Sequence, residues 1–532
     1  MAKSIERKFF GTDGVRDLAN SGKMTPELAL KLGRAFIRFN HGRKIIIGRD
    51  TRLSCRMLEG ALYSGMSSEG ANVLLAGVIP TPGISYAVKE LHADGGAVIS
   101  ASHNPAEYNG YKVYWEDGAQ IVSPVDKEIM SEVKAVTDFS EIKEMDEEEA
   151  IKKGLYYEIG EDVDTAYMEE LKKLVLNKDV ITKVQKDLKI VYTPLHGTGN
   201  LPVQKILKEI GFENVYVVPE QEKPDGNFST VTYPNPEDKK AFELALNLAK
   251  KIDADIVLAT DPDADRLGIY AKDTKTGEYM PFTGNMSGLL IAEYELSQRK
   301  EKGKLPENGA LITTIVPSNM AGAIAKNYNI ELIEVLTGFK YIGEKMKLFE
   351  ETKEHEYLFG YEESYGCLIG THARDKDAIV AVMALCEAAA YYKDKNLTLW
   401  DQMINIYEKY GYYKEGQISI TMKGLDGAEK IKAILEKLRN NPPKTIGKYK
   451  VIEYRDYMVG TIENYEENKK SKTTLPTSNV LYYTLENDAW VCARPSGTEP
   501  KIKFYIGIKA ESMEKSNTEL EDLSSAVRVF GE

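Results

Sequence analysis

The segment Ala259–Ile269 (ATDPDADRLGI) places three carboxylates, Asp261, Asp263 and Asp265, at alternate positions directly after an apolar run. A bend at the end of such a strand can converge three carboxylates on one hard cation. All-oxygen ligands suit Mg²⁺, which keeps open positions for phosphate or water. Arg266 adds a fork-shaped donor beside that centre. An acidic surface turn and a phosphatase with an Asp nucleophile are the competing readings. An EF-hand fails, because its sixth loop position needs Gly and holds Arg266, and its twelfth needs Glu and holds Lys272.

A second segment, Ile99–Lys112 (ISASHNPAEYNGYK), also follows an apolar run. Ser102 sits where the chain turns, flanked by His103, Asn104 and Pro105, and can act as a nucleophile or carry a phosphate. No GxSxG elbow is present, so a hydrolase triad is not indicated. The pair Asn109-Gly110 predicts a tight turn that brings Lys112 back toward Ser102. Alone, this segment reads equally as a polar turn.

Two further segments suit sugar and phosphate. In Phe359–Asp377 (FGYEESYGCLIGTHARDKD), Glu362 and Ser364 combine a carboxylate with a hydroxyl, as recognition of sugar hydroxyls requires, and Lys376 lies in a charged loop before an apolar helix. A helix N-cap with solvated charges is the plain alternative. In Ala493–Phe504 (ARPSGTEPKIKF), Arg494, Ser496, Gly497 and Thr498 can form a phosphate nest of backbone N–H groups, hydroxyls and a bidentate clamp. An ordinary turn explains the same letters. Weaker signals are Arg16 after the Gly-rich turn of FGTDGVR, the HGTG of 196–199, and Thr337-Gly338 within LTGFK at a strand end. No GxxxxGK[ST] or GxGxxG fingerprint occurs, so nucleotide binding is not supported.

The elements that position these segments are short β-branched runs alternating with helical patterns. Strands are predicted at Lys44–Asp50, Ala71–Gly77 and Ala97–Ser102, with a helix at Met57–Gly70. The scheme restarts at Leu188–Thr193, Val215–Val218 and Asp255–Thr260, and again at Ala310–Val316, Glu331–Leu336 and Glu356–Gly360. The expected fold class is α/β: three similar units with mixed, mostly parallel sheets, plus a smaller C-terminal α+β domain, four domains around a central cleft. Ligands of such sheets bind beyond the carboxyl ends of the strands, where the unusual residues fall. The expected divisions are 1–150 with the serine loop, 160–300 with the metal loop, 301–420 with the sugar loop and 421–532 for phosphate.

The 532 residues exceed one hydrophobic core, and 42% apolar with 28% charged residues is ordinary for a globular protein. A net charge of −13 argues against nucleic acid as the main partner. Four scattered cysteines without a CxxC argue against a disulfide or zinc framework. No signal-peptide h-region and no run of apolar residues long enough to span a membrane occur, so a cytoplasmic protein is expected.

SASHNP, DPDADR, GYEESYG and RPSGTEP, in this order, resemble the α-D-phosphohexomutase superfamily along nearly the whole chain. From YNGYKVY onward, including TPLHGTG, VLTGFKYIGEK and THARDKDA, the chain is similar to its bacterial α-phosphoglucomutase group. The first hundred residues, with RKFFGTDGVRDLAN, GRDTRLS and GVIPTPG, look more like phosphoglucosamine mutase. The resemblance implies interconversion of glucose 1-phosphate and glucose 6-phosphate through a phosphoserine and glucose 1,6-bisphosphate. It implies Ser102 as phosphoryl carrier and, with Asp261, Asp263 and Asp265, as Mg²⁺ ligand. Glu362 and Ser364, with Thr337 and Gly338, become sugar readers. Arg494, Ser496, Gly497 and Thr498 hold the phosphate that is not reacting. His103, Lys112, Arg16, Arg266 and Lys376 surround the reacting one, with Lys112 or Lys376 as general base if desolvation depresses its pKa. Partners are then sugar phosphates, with neither nucleic acid nor membrane, and the chain a monomer or weak homodimer. Phosphomannomutase or phosphoglucosamine mutase chemistry, a metal-dependent sugar phosphatase and a sugar-phosphate binding module are the alternatives.

Overall fold

A computed structural model describes residues 14–140, 142, 147–422, 427–496 and 501–531. It comprises two compact units, one of residues 14–313 and 338–403, the other of Thr314–Thr337 together with 404–531.

The first unit holds α/β layers whose sheets are parallel at the centre and antiparallel along one edge. Its first sheet runs in the order Val15–Leu18, Tyr108–Trp115, Gly95–Ile99, Lys44–Arg49, Asn72–Val78 and Tyr156–Glu158. Lys44–Arg49 pairs in parallel with both neighbours. Its Ile45, Ile46 and Ile47 are buried, as expected for a strand covered on both faces. The helix Pro26–Asn40 that covers this sheet starts at Thr25, whose hydroxyl accepts from Leu28 N–H at 3.3 Å, with Pro at the first helical position. The second sheet is ordered Tyr279–Pro281, Leu267–Lys272, Ile256–Thr260, Ile190–Thr193 and Val215–Val217. A third pairs Gly309–Thr314 in parallel with Glu356–Tyr361, which pairs antiparallel with Cys367–Ile369.

One device recurs in all three sheets. A strand that pairs in parallel with its neighbour runs into a loop, and the chain returns beside it as an antiparallel strand. Gly95–Ile99 returns as Tyr108–Trp115, Ile256–Thr260 as Leu267–Lys272, and Glu356–Tyr361 as Cys367–Ile369. The three loops carry Ser102, the Asp triad and Glu362.

The second unit contains an eight-stranded sheet with antiparallel pairing, in the order Tyr412–Thr421, Lys501–Ala510, Trp490–Pro495, Leu481–Leu485, Tyr449–Asp456, Thr461–Asn464 and Lys469–Lys472, with Thr445–Ile446 beside Tyr449–Asp456. Helices Gly427–Asn440 and Met513–Arg528 contribute Ile431, Leu435, Leu523 and Val527 to a core with Tyr483, Val491, Phe504 and Ile506. Residues 412–420 were expected within the third division, 301–420, with no strand predicted there; they form strand Tyr412–Thr421. That strand lies along Lys501–Ala510, with Ile418 opposite Phe504 in that core, so the last sheet begins at residue 412. All four cysteines are buried free thiols. Among the described residues, no helix is long and apolar enough to cross a membrane.

Candidate functional site

The three loops of the first unit meet through hydrogen bonds between residues far apart in sequence. Ser102 Oγ donates to Asp261 Oδ2 at 2.5 Å and lies 3.1 Å from His103 Nδ1. Leu267 N–H donates to Tyr365 O at 3.0 Å, and Ala378 N–H to Ala264 O at 3.1 Å. Each loop contains a non-glycine residue in left-handed backbone: Ser102 at φ 50°, Ala264 at φ 51° and Tyr365 at φ 68°. Such conformations persist only where surrounding contacts over-determine them.

The Asp triad is fully enclosed, and one carboxylate oxygen from each residue lies within 4.8 Å of the others. Asp261 Oδ1 accepts from the N–H groups of Asp265 and Arg266 at 3.1 and 3.0 Å, which leaves Oδ2 toward Ser102. Asp263 Oδ2 accepts from Lys112 Nζ at 2.6 Å and Thr81 Oγ1 at 2.7 Å; Asp265 Oδ2 accepts from Lys112 Nζ at 2.7 Å. The other oxygens, Asp263 Oδ1 and Asp265 Oδ1, are buried and accept no hydrogen bond from the described residues. A buried carboxylate oxygen without a donor is costly unless a cation completes it. Asp261 thus turns Oδ2 to Ser102, while Asp263 and Asp265 each have one oxygen fixed by protein donors and one without a donor. This donor set fits a hard divalent cation, with an orienting outer layer of Lys112, Thr81 and backbone.

The charges follow from that enclosure. Burial, reinforced by Asp263 and Asp265, pushes the Asp261 carboxyl well above the usual range. Burial would also raise Asp263, but the Lys112 ammonium outweighs it and holds Asp263 low. Burial acts to lower Lys112, yet Asp263 and Asp265 outweigh it and the net shift is upward. The expectation that desolvation depresses Lys112 toward a general base is corrected: two carboxylates hold its ammonium charged.

The route by which Lys112 arrives is also corrected. Asn109-Gly110 is no turn; it lies inside strand Tyr108–Trp115 and pairs with Arg16 and Asp17. The reversal is made earlier, in the loop of Ser102, and strand alternation points Lys112 at the triad.

The charged segment Arg374–Asp377 is wholly buried, not a solvated cap. Asp375 Oδ2 accepts from Tyr114 Oη and Gln120 Nε2, both at 2.7 Å, and its Oδ1 accepts from Lys376 Nζ at 2.9 Å. Lys376 Nζ lies 3.4 Å from Asp265 Oδ2. Asp377 caps helix Ala378–Lys393 through Ile379 and Val380 N–H, and its Oδ2 accepts from Tyr167 Oη at 2.6 Å and meets His372 Nε2 at 2.7 Å. A Cβ at Gly366 would stand 2.2 Å from Lys376 Cδ, so the glycine of GYEESYG is the passage for this lysine. Glu362 is buried, with Oε1 accepting from Gly338 N–H at 3.1 Å, while Ser364 is half-buried.

Other expected residues lie further out. Arg16 is in strand Val15–Leu18, and its charge helps hold Asp263 low. Arg266 Nη1 bonds Glu237 Oε1 at 2.9 Å, and its Nε lies 3.8 Å from Asp265 Oδ1. His196 of the HGTG segment pairs with Thr230 Oγ1 and Lys223 O, within its own sheet's loops. Thr337, Arg494 and Ser496 belong to the second unit; Arg494 ends strand Trp490–Pro495, and Ser496 N–H donates to Lys501 O at 2.7 Å. Gly497 and Thr498 lie outside the described residues. Two site residues escaped the sequence reading, Thr81 and Asp375. Thr81 sits in GVIPTPG, singled out there for likeness alone, and Asp375 in the charged loop of Phe359–Asp377, where only Lys376 was named.

Comparison with known proteins agrees with this assembly. Residues 7–139, 165–276 and 283–410 match α/β/α domains I, II and III of phosphoglucomutase/phosphomannomutase. A phosphoglucomutase of Staphylococcus haemolyticus is 34% identical over 518 residues, covering 96% of this chain and 92% of that protein. The open form of pp63/parafusin, a phosphoglucomutase from Paramecium, superposes with TM-score 0.71 at 17% identity, covering 100% of this chain and 95% of the other. An N-acetylphosphoglucosamine mutase of Aspergillus fumigatus, in complex with GlcNAc-6P and magnesium, shares the fold at TM-score 0.53 and 13% identity, over 100% and 97% of the two chains. With three α/β domains, a β-rich C-terminal domain and a relative this similar along its length, the chain is an enzyme that belongs to the phosphoglucomutase/phosphomannomutase family.

Proposed function

We propose that this enzyme is a phosphoglucomutase that interconverts glucose 1-phosphate and glucose 6-phosphate through phosphorylated Ser102, with glucose 1,6-bisphosphate as intermediate. The observation that carries the reading is the 2.5 Å contact between Ser102 Oγ and Asp261, beside two buried carboxylate oxygens without donors. A lone polar turn has no reason to assemble a hydroxyl with three carboxylates in this way. Mg²⁺ suits the oxygen set of Ser102, Asp261, Asp263 and Asp265, and when bound it offsets charge on the phosphoryl oxygens.

In the forward direction, O6 of glucose 1-phosphate takes the phosphoryl group. The Oγ–P bond breaks, the O6–P bond forms, and the O6 proton passes to a neighbouring base. His103, whose Nδ1 lies 3.1 Å from Ser102 Oγ, is placed for that task. Lys112 does not, because it is held charged by Asp263 and Asp265. It serves instead with Arg16, Arg266 and Lys376 as fixed positive charge around the transferring group. Glu362 and Ser364, with Thr337 and Gly338, read the sugar hydroxyls. Arg494, Ser496, Gly497 and Thr498 hold the other phosphate. The bisphosphate then turns end for end, the O1–P bond breaks as the Oγ–P bond forms again, the proton held by the base passes to O1, and glucose 6-phosphate leaves. On this reading residues 1–150 carry the phosphoserine, 160–300 the metal loop, 301–411 the sugar loop and 412–532 the phosphate clamp, the last division beginning with strand Tyr412–Thr421. Four free thiols suit a reducing compartment, so we place the activity in the cytoplasm.

The test is turnover of glucose 1-phosphate with Mg²⁺ and a trace of glucose 1,6-bisphosphate, run beside the mannose, ribose and glucosamine phosphates. Formation of glucose 6-phosphate, fastest among the four substrates and exceeding inorganic phosphate release, is expected. Net phosphate release in excess of isomer would make the protein a phosphatase, and faster turnover of another sugar would reassign the substrate.

A further inference from the structure

Behind the Ser102 loop lies a charged network that the mechanism above does not use. Asp50 and Arg52, both buried, pair at 3.0 Å between Asp50 Oδ2 and Arg52 Nε. Arg52 Nη1 donates to the carbonyls of Pro105 at 2.5 Å and Tyr108 at 3.0 Å. Its Nη2 donates to the carbonyls of Ser102 at 2.5 Å and Asn104 at 2.6 Å. All five guanidinium N–H donors are thus engaged, four of them on the backbone of one loop. Asp50 Oδ2 also accepts from Ser100 Oγ at 2.7 Å, and Ser100 Oγ accepts from Ser102 N–H at 2.8 Å. Both backbone polar groups of Ser102 therefore end on a network rooted in Asp50 and Arg52, and Ser102 is the residue held at φ 50°. The guanidinium carbon lies 4.9 Å from the centre of the Phe228 ring, contributed by the loops of the second sheet. That loop packs against the Arg52 segment: a Cβ at Gly226 would stand 2.6 Å from Leu53 N.

We propose that Arg52 is a positioning residue for phosphoryl transfer: its guanidinium gathers the Ser102 loop and holds Oγ at the metal centre without touching substrate. The inference rests on Ser102 being the phosphoryl carrier. An unclamped loop would relax from left-handed backbone, and Oγ would leave the position set by Asp261. Displacing a reacting atom by about 1 Å costs on the order of a hundredfold in rate. Lysine cannot replace the clamp, since three donors on one nitrogen cannot span four carbonyls and a carboxylate.

The experiment follows the transfer of a phosphorus-32 phosphoryl group from glucose 1,6-bisphosphate to the dephosphorylated enzyme, with peptide mapping. In that step the sugar O–P bond breaks, the Oγ–P bond forms, and the serine proton ends on the sugar oxygen. Wild type is compared with Arg52→Lys and Phe228→Leu, each checked by thermal melting. Arg52→Lys is expected to lower the labelling rate and kcat by roughly a hundredfold. KM for glucose 1-phosphate should stay within about threefold, because the substrate-binding groups lie elsewhere. Labelling at the wild-type rate, or activity that falls only in proportion to the folded fraction, would overturn the proposal. If Arg52→Lys does not fold, Phe228→Leu decides, with labelling slowed by about fivefold at unchanged KM expected from loss of the ring contact. A wild-type rate there overturns the clamp. Label on a wild-type residue other than Ser102 would instead overturn the carrier assignment, which separates the two failures.

Discussion

The Ser102–Asp261 locus and the Arg494–Ser496 segment are built in opposite ways. At the first, Ser102, Asp261, Asp263, Lys112 and Lys376 are fully enclosed, and opposing charges lie within hydrogen-bond distance. At the second, Arg494, Pro495 and Ser496 are half-exposed at the end of an antiparallel strand. Enclosure suits chemistry that needs fixed charge in a low dielectric. Partial exposure suits a clamp that must accept and release a phosphate. The contrast teaches that damage to the first should appear in kcat and in stability, and damage to the second in KM.

The largest effect sharpens the enclosed side. Ser102→Ala removes the group that forms the covalent intermediate, and kcat should fall by at least about a thousandfold in the glucose 1-phosphate assay. Next, Asp263→Asn should weaken Mg²⁺ binding by roughly ten- to a hundredfold, read by activity against Mg²⁺ concentration and by calorimetry. Lys112→Met removes the ammonium shared by two buried carboxylates and should cost about 3 kcal/mol in urea unfolding without metal. Part of that loss should return when Mg²⁺ is added, because the cation then supplies the missing positive charge. An unchanged stability would break the claim that Lys112 is part of the enclosed charge set. The smallest effect lies on the exposed side. Arg494→Ala should raise KM by about tenfold, with kcat altered less. A fall in kcat alone would erase the contrast.

The loops themselves were legible because each follows an apolar strand, and strand ends are where such sheets bind ligands. The partners of the loops were not. Thr81 reaches Asp263 across 182 residues, and Asp375 reaches Tyr114 across 261. No local pattern reports such pairings. Alternating signs in Arg374–Asp377 read as a solvated cap because neighbouring charges usually face water; here each side chain is buried against a partner of its own. Asn109-Gly110 reads as a turn, yet Asn109 is consumed by bonds from its Nδ2 to Ser54 Oγ and from Gly110 N–H to its Oδ1, inside a strand whose reversal is already complete. Strand Tyr412–Thr421 was missed because its alternation is weak and its partner, Lys501–Ala510, lies far downstream.

Peptide mass spectrometry of the enzyme after exposure to glucose 1,6-bisphosphate addresses the heart of the account. A single added phosphoryl group on the peptide containing Ser102, discharged when glucose 1-phosphate is supplied in excess as acceptor, is the predicted result. Full isomerase turnover with that serine never modified would contradict it.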